Sequence, residues 1–153
     1  MTDLRRKDAA MMTPNELKLR FPYQFKNLDP SALAFAPGWM PVIVCMCHEV
    51  DDVMEGQLQD YSFYWVLFKE KFGQPRFVYR FMALEDELGN KKGDSVVCNA
   101  MRERLMSIRH KAESLAREMC MVCGAPGELV DEPWMLTLCK RHEDAHRRGE
   151  HLR

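Results

Sequence analysis

The chain has 153 residues, which suits one domain or a domain with a small appendage, and its 46% hydrophobic and 29% charged residues suffice to build a core. A net charge of -1 excludes a global electrostatic pull toward nucleic acid or membrane, so a charged partner has to be read by a local patch. No apolar run approaches the ~20 residues that cross a bilayer, and the opening "MTDLRRKDAAMMTPNEL" lacks the apolar stretch of a secretory signal, so a cytoplasmic protein with no membrane partner is expected.

Residues 1–12 read as a disordered N-terminus. "TPNE" then announces a helix: Thr13 can cap it, Pro14 suits the first helical position, and Glu16 completes a capping box. Pro22 in "RFPYQF" ends it. After the punctuation of "APGWMP", the stretch "PVIVCMCHEVDDVM" predicts a helix from Pro41 to Met54, apolar at Val42, Cys45, Met46, Val50 and Val53, which places Cys45 in the core. Positions 45 and 47 of a helix point about 200° apart, so Cys45, Cys47 and His48 do not share a metal. Glu49, Asp51, Asp52, Glu55 and Asp60 follow one another with no Lys or Arg between them. They form a candidate acidic partner-binding stretch.

"YSFYWVLFKEKFGQPRFVYRFM" changes the period from helical to strand-like and predicts an aromatic β-hairpin or small antiparallel sheet over residues 61–82, with Phe72-Gly73-Gln74-Pro75 at the turn and Arg76, Val78 and Arg80 on a wetter face. A lone hairpin is marginal in water, so a helix must cover its aromatic face or a third strand must pair with it. "LEDELGNKKGD" is a polar loop. From Asp94 to Met119 there is no Pro or Gly, Asp94 or Ser95 can cap, and Cys98, Met101, Leu105, Ile108, Ala112, Leu115 and Met119 space themselves as a heptad seam on a long helix over 94–119. The seam either packs on the chain's own hairpin or makes a coiled-coil homodimer. Arg102, Arg104, Arg109 and Lys111 border it and would repel their copies, so an acidic neighbour such as the 49–60 stretch fits better. His110 is expected on the exposed face. Residues 13–119 thus read as an α+β domain.

Residues 120–146 carry the chemistry. Cys120 and Cys123 form a C-x2-C knuckle, the shortest segment that places two thiolates on one ion while turn amides bond the sulfurs. "GAPGE" supplies the tight turn, and "DEPWMLTL" makes a short strand or hairpin arm leading to Cys139 and His142. Four N and S ligands fill a tetrahedral shell, so the expected cofactor is a structural Zn2+, replacing a core too small to build in about 25 residues. Thiols at metal spacing in a chain without a signal argue for reduced cysteines, leaving Cys45, Cys47 and Cys98 free. His146 is the alternative fourth ligand. "HEDAH" formally matches H-E-x-x-H, but the segment is charged throughout and the cysteines claim His142, which disfavours a protease.

"LCKRHEDAHRRGE" resembles the end of HNH nucleases, where such a half knuckle opens a helix. That chemistry needs a histidine general base on the preceding hairpin, and none lies between Cys123 and Cys139, so catalytic residues are not expected. "FKEKFGQPRFVYRF", "CMVCGAPG" and "LCKRH" in this order resemble a group of small uncharacterised bacterial and phage proteins over about the last ninety residues. Gln74-Pro75 stands where that group carries Gly-Leu, which leaves the turn geometry open. The resemblance implies a bound zinc and a common fold; it supplies no activity. Exposed aromatics, twelve adaptable methionines and the acidic stretch suggest a non-catalytic protein that docks on a protein or nucleoprotein partner; because the look-alikes occur in phages and mobile elements, the resemblance implies in one version an inhibitor of a host defence complex of anti-CRISPR type, acting in the host cytoplasm. The alternative is a nucleic-acid-binding zinc-ribbon protein using Arg147 and Arg148 of the basic tail, residues 147–153, on phosphates.

Overall fold

The computed structural model describes residues 12–131 and 134–152, so the disorder expected over residues 1–12 falls almost wholly outside the described residues. The fold is α+β, with four α-helices and two small sheets among the described residues. The first helix, α1 (Pro14–Arg20), begins with the expected capping box: the Glu16 amide donates to Thr13 Oγ1 at 3.2 Å, and the Thr13 amide donates to the Glu16 carboxylate at 2.6 Å.

A two-residue strand, β1 (Leu33–Ala34), and a 3-10 turn at Pro37–Trp39 lead into α2 (Met40–Met54). Strand β2 (Tyr61–Lys71) pairs parallel with β1 and antiparallel with β3 (Gln74–Ala83), in the sheet order β1-β2-β3. The hairpin is therefore completed both ways, by a third strand and by a helix, since α3 (Ser95–Arg117) packs on β3 and on α2. Lys71 pairs directly with Gln74, so the turn is the two-residue Phe72-Gly73, with φ of 55° and 73°. Both values are positive, as a type I′ hairpin requires. Gln74 and Pro75 accordingly belong to β3, an edge strand, where a residue without an amide hydrogen is tolerated.

Strict alternation would put Tyr61, Phe63, Trp65 and Leu67 on one face. A bulge between Trp65 and Leu67 resets the register, so that the fourth buried ring is Phe68. Phe68 packs edge-on against Trp65 with centroids 4.9 Å apart, and also meets Phe77 across the pair at 5.1 Å.

The α2 prediction holds, but its core face differs. Cys47 is fully buried and Cys45 is not; Cys45 Sγ lies 3.7 Å from Glu49 Oε1. Helix α3 starts as expected, with the Asp94 carboxylate accepting from the amides of Val96 and Val97. The heptad seam is a correction. Met101, Leu105 and Ala112 are buried, but Ala116 takes the next buried position while Leu115 is 49% exposed. An ordinary straight helix drifts relative to a 3.5-residue repeat, and this one follows the drift. The cationic border of the stripe does find an acidic neighbour: Lys111 Nζ lies 2.8 Å from Glu49 Oε1 on α2.

Candidate metal centre

Backbone geometry brings the cysteines together. The Cys120 amide donates to the Ala125 carbonyl at 2.7 Å, and the Gly124 amide donates back to the Cys120 carbonyl at 2.8 Å, which curls residues 120–125 into a knuckle. Gly124 closes it at φ 74°, a conformation that favours glycine. The second half comes from a separate antiparallel hairpin of β4 (Glu128–Val130) and β5 (Leu136–Leu138), tied to the knuckle by the Met121 amide on the Thr137 carbonyl at 2.9 Å. Cys139 follows β5 as the N-cap of α4 (Lys140–Arg147), and His142 lies on the first turn of that helix.

The Sγ atoms of Cys120, Cys123 and Cys139 and a ring nitrogen of His142 all lie within 4.8 Å of one another, and the four residues can hold a metal ion. Individual separations are 3.8 Å for Cys123 Sγ to Cys139 Sγ, 3.3 Å for Cys120 Sγ to His142 Nδ1 and 3.2 Å for Cys139 Sγ to His142 Nδ1. A tetrahedron with Zn–S of about 2.3 Å and Zn–N of about 2.0 Å has edges of roughly 3.8 and 3.5 Å, so the donor set has the size of a zinc site. The sulfurs are too far apart for a disulfide, which needs about 2.05 Å, and all six cysteines are free thiols.

Electrostatics points the same way. Burial alone would push the Cys120 thiol up, but the amides of Cys139, Cys123 and Val122 outweigh it and hold the thiol at about 7. Burial instead raises Cys123, and its neighbouring thiols at Cys120 and Cys139 add to the rise. One thiolate in so small a space suppresses the next, and a cation at the centre removes the conflict.

The centre is seated on the N-terminal half of the chain. The Gly38 amide, in the turn before α2, donates to the Met121 carbonyl at 2.8 Å, and Thr137 Oγ1 donates to the Gly73 carbonyl at the β2–β3 turn at 3.0 Å. Neither Gly38 nor Thr137 was singled out from sequence; the only signal was that "APGWMP" punctuates the chain with no loop length to need it.

Other expected site residues are used differently. His146 stays out of the donor group, its Nε2 buried with no hydrogen-bond partner among the described residues. Asp51 is structural: its Oδ1 accepts from Tyr23 OH and from Gln24 Nε2, both at 2.7 Å. Glu49 is bound to Lys111, whereas Asp52 and Glu55 are exposed. Arg147 pairs with Glu143 and Arg148 with Glu150, while Lys140 lies 3.0 Å from Asp144, so the tail's cations are largely matched by its own carboxylates. His110 is exposed, with Nε2 at 2.6 Å from Arg109 Nη2. No helix among the described residues is long and apolar enough to cross a membrane. Comparisons with protein-family models, with curated proteins and with solved structures give no match.

Proposed function

We propose that Cys120, Cys123, Cys139 and His142 hold one structural zinc ion, and that the chain is a non-catalytic zinc-binding protein that docks on a macromolecular partner. The observation that carries this reading is the four-donor set: three thiols and one imidazole within 4.8 Å of one another, three of their separations at 3.2–3.8 Å, which fills a tetrahedral shell and leaves no position for water or substrate. A catalytic zinc keeps such a position open. The glutamate of the H-E-x-x-H match, Glu143, is ion-paired to Arg147 at 2.8 Å, which suits a helix-stabilising role more than a general base. Reduced thiols fit a cytoplasmic setting. Inhibition of a host defence complex is one form such docking can take, and its support is the resemblance to phage proteins.

Metal analysis of the purified chain tests the reading. One zinc per chain is expected, released stoichiometrically when the thiols are blocked with a mercurial reagent. A folded chain that carries no metal, or whose melting is unchanged by a strong chelator, refutes it.

A further inference from the structure

We propose that the groove between the free edge of β3 and α3 binds single-stranded nucleic acid, with phosphates on Lys71, Arg76, Arg109 and Arg117 and a base stacked on Phe72. This rests on the docking reading above and names the class of partner. The groove has a volume of about 510 Å³, and its only carboxylate among the described residues, Glu113, is already engaged, accepting from the Phe77 amide at 3.0 Å. None of the four cations takes part in an ion pair among the described residues, in contrast to the cations of the tail. Arg109 Nε is buried with no hydrogen-bond partner among the described residues.

Two local features beside this groove work against folding and fit an anionic, base-bearing ligand. Lys69 stands directly opposite Arg76 in the β2–β3 register, and like charges in that position repel unless an anion lies between them. Phe72 occupies φ 55°, a region an aromatic side chain rarely adopts, and yet its ring is 63% exposed, so little burial offsets the strain. A strained, exposed ring with the Lys71 ammonium 5.3 Å from its centroid, beside further cations that have no carboxylate partner among the described residues, suits a stacking platform over a phosphate track. Trp134, 73% exposed and adjacent in sequence to the groove residue Met135, offers a second ring at the same end. A duplex presents phosphates but no free base faces, so the exposed rings select a single strand.

The zinc-loaded protein would be titrated against a fluorescent thymidine oligonucleotide of about 15 residues, the length one small binding surface covers, and against a duplex of equal length. Saturable binding of the single strand is expected, at least tenfold tighter than the duplex. Four phosphate contacts predict that affinity falls about 50-fold between ~50 and ~200 mM salt. Phe72→Ala should weaken binding roughly tenfold, and Arg76→Gln with Arg117→Gln should flatten the salt dependence, while Arg147→Gln with Arg148→Gln changes neither. Hydrogen exchange on the wild-type protein should show oligonucleotide protection at residues 71–78 and 109–117, which keeps the test independent of how the variants fold. No binding by a zinc-replete chain overturns the proposal and leaves the zinc reading intact. Equal affinity for duplex, or loss of binding in the tail variant alone, also overturns it. Cleavage of the oligonucleotide would uphold the groove and sink the non-catalytic reading.

Discussion

Gly38 lies so close to Cys120 that a side chain there has no room: a Cβ on Gly38 would fall 2.1 Å from the Cys120 carbonyl oxygen and 2.6 Å from the Gly124 amide nitrogen. Both obstacles are backbone, so neither can swing away. Gly38→Ala is expected to push the knuckle off its seat, lowering stability by about 3 kcal/mol or more. Thermal melting checks the first part. Competition with a chromophoric chelator should show faster zinc release from the variant.

His142 and His146 are separated by one helical turn and by their roles. His142→Ala removes a donor that faces two thiols, and is expected to drop zinc retention and stability as severely as Cys120→Ser. His146→Ala should leave one zinc per chain and shift melting by only a few degrees, because its ring is outside the donor group. Metal content of the two variants, measured side by side, decides between them; a zinc-free His146 variant would reverse the assignment.

Gln24 is the polar pin of the N-terminal half. It is fully buried, its Nε2 donates to the Cys47 carbonyl and to Asp51, and its Oε1 accepts from Trp65 Nε1 at 3.0 Å. Gln24→Ala strands the buried Trp65 indole N–H, at about 1–3 kcal/mol, takes a second donor from the Cys47 carbonyl and from Asp51 Oδ1, which keeps the Tyr23 hydroxyl, and leaves a cavity in the core. A loss of roughly 3–5 kcal/mol in denaturant unfolding is expected. Gln24→Met, similar in length and without the polar atoms, should be nearly as damaging, which shows the effect to be hydrogen bonding and not volume.

Phe72→Asn should move stability and function in opposite directions. Asparagine tolerates the left-handed backbone that phenylalanine resists, so unfolding is expected to become harder by about 0.5–1 kcal/mol. The same change removes the exposed ring, so oligonucleotide affinity should fall. A variant that is destabilised would indicate that the ring is held by packing.

The donor residues were legible because metal spacing is a local property: Cys120, Cys123, Cys139 and His142 are fixed by short turns that sequence displays. The capping box at Thr13 and Glu16 and the Asp94 cap were legible for the same reason. The bulge at Val66 was not, since one extra residue leaves composition unchanged and only the buried Phe68 betrays it. Leu115 looked like a seam residue because a heptad and a straight helix diverge by one position only after several turns. The basic surface was sought in the tail, where arginines are dense in sequence. It was missed along β3 because Arg76, Arg109 and Arg117 converge only in space, and because carboxylates four residues away, such as Glu143 beside Arg147, neutralise a charge that a count would register as free.

Strand β1 is two residues long, yet among the described residues it and the Gln24 carbonyl, which takes the Trp65 amide at 2.7 Å, are what stands along the outer edge of the eleven-residue β2. That edge runs beside Phe63, Trp65 and Phe68, a sequence with strong β propensity and no charge between Tyr61 and Phe68. Removing the segment before α2 would bare a row of unpaired amides next to aromatic rings, the template on which strands of other copies add and aggregates grow. Gln24 and the Leu33–Ala34 strand thus act as a guard rail, keeping the chain's most adhesive strand occupied by its own backbone.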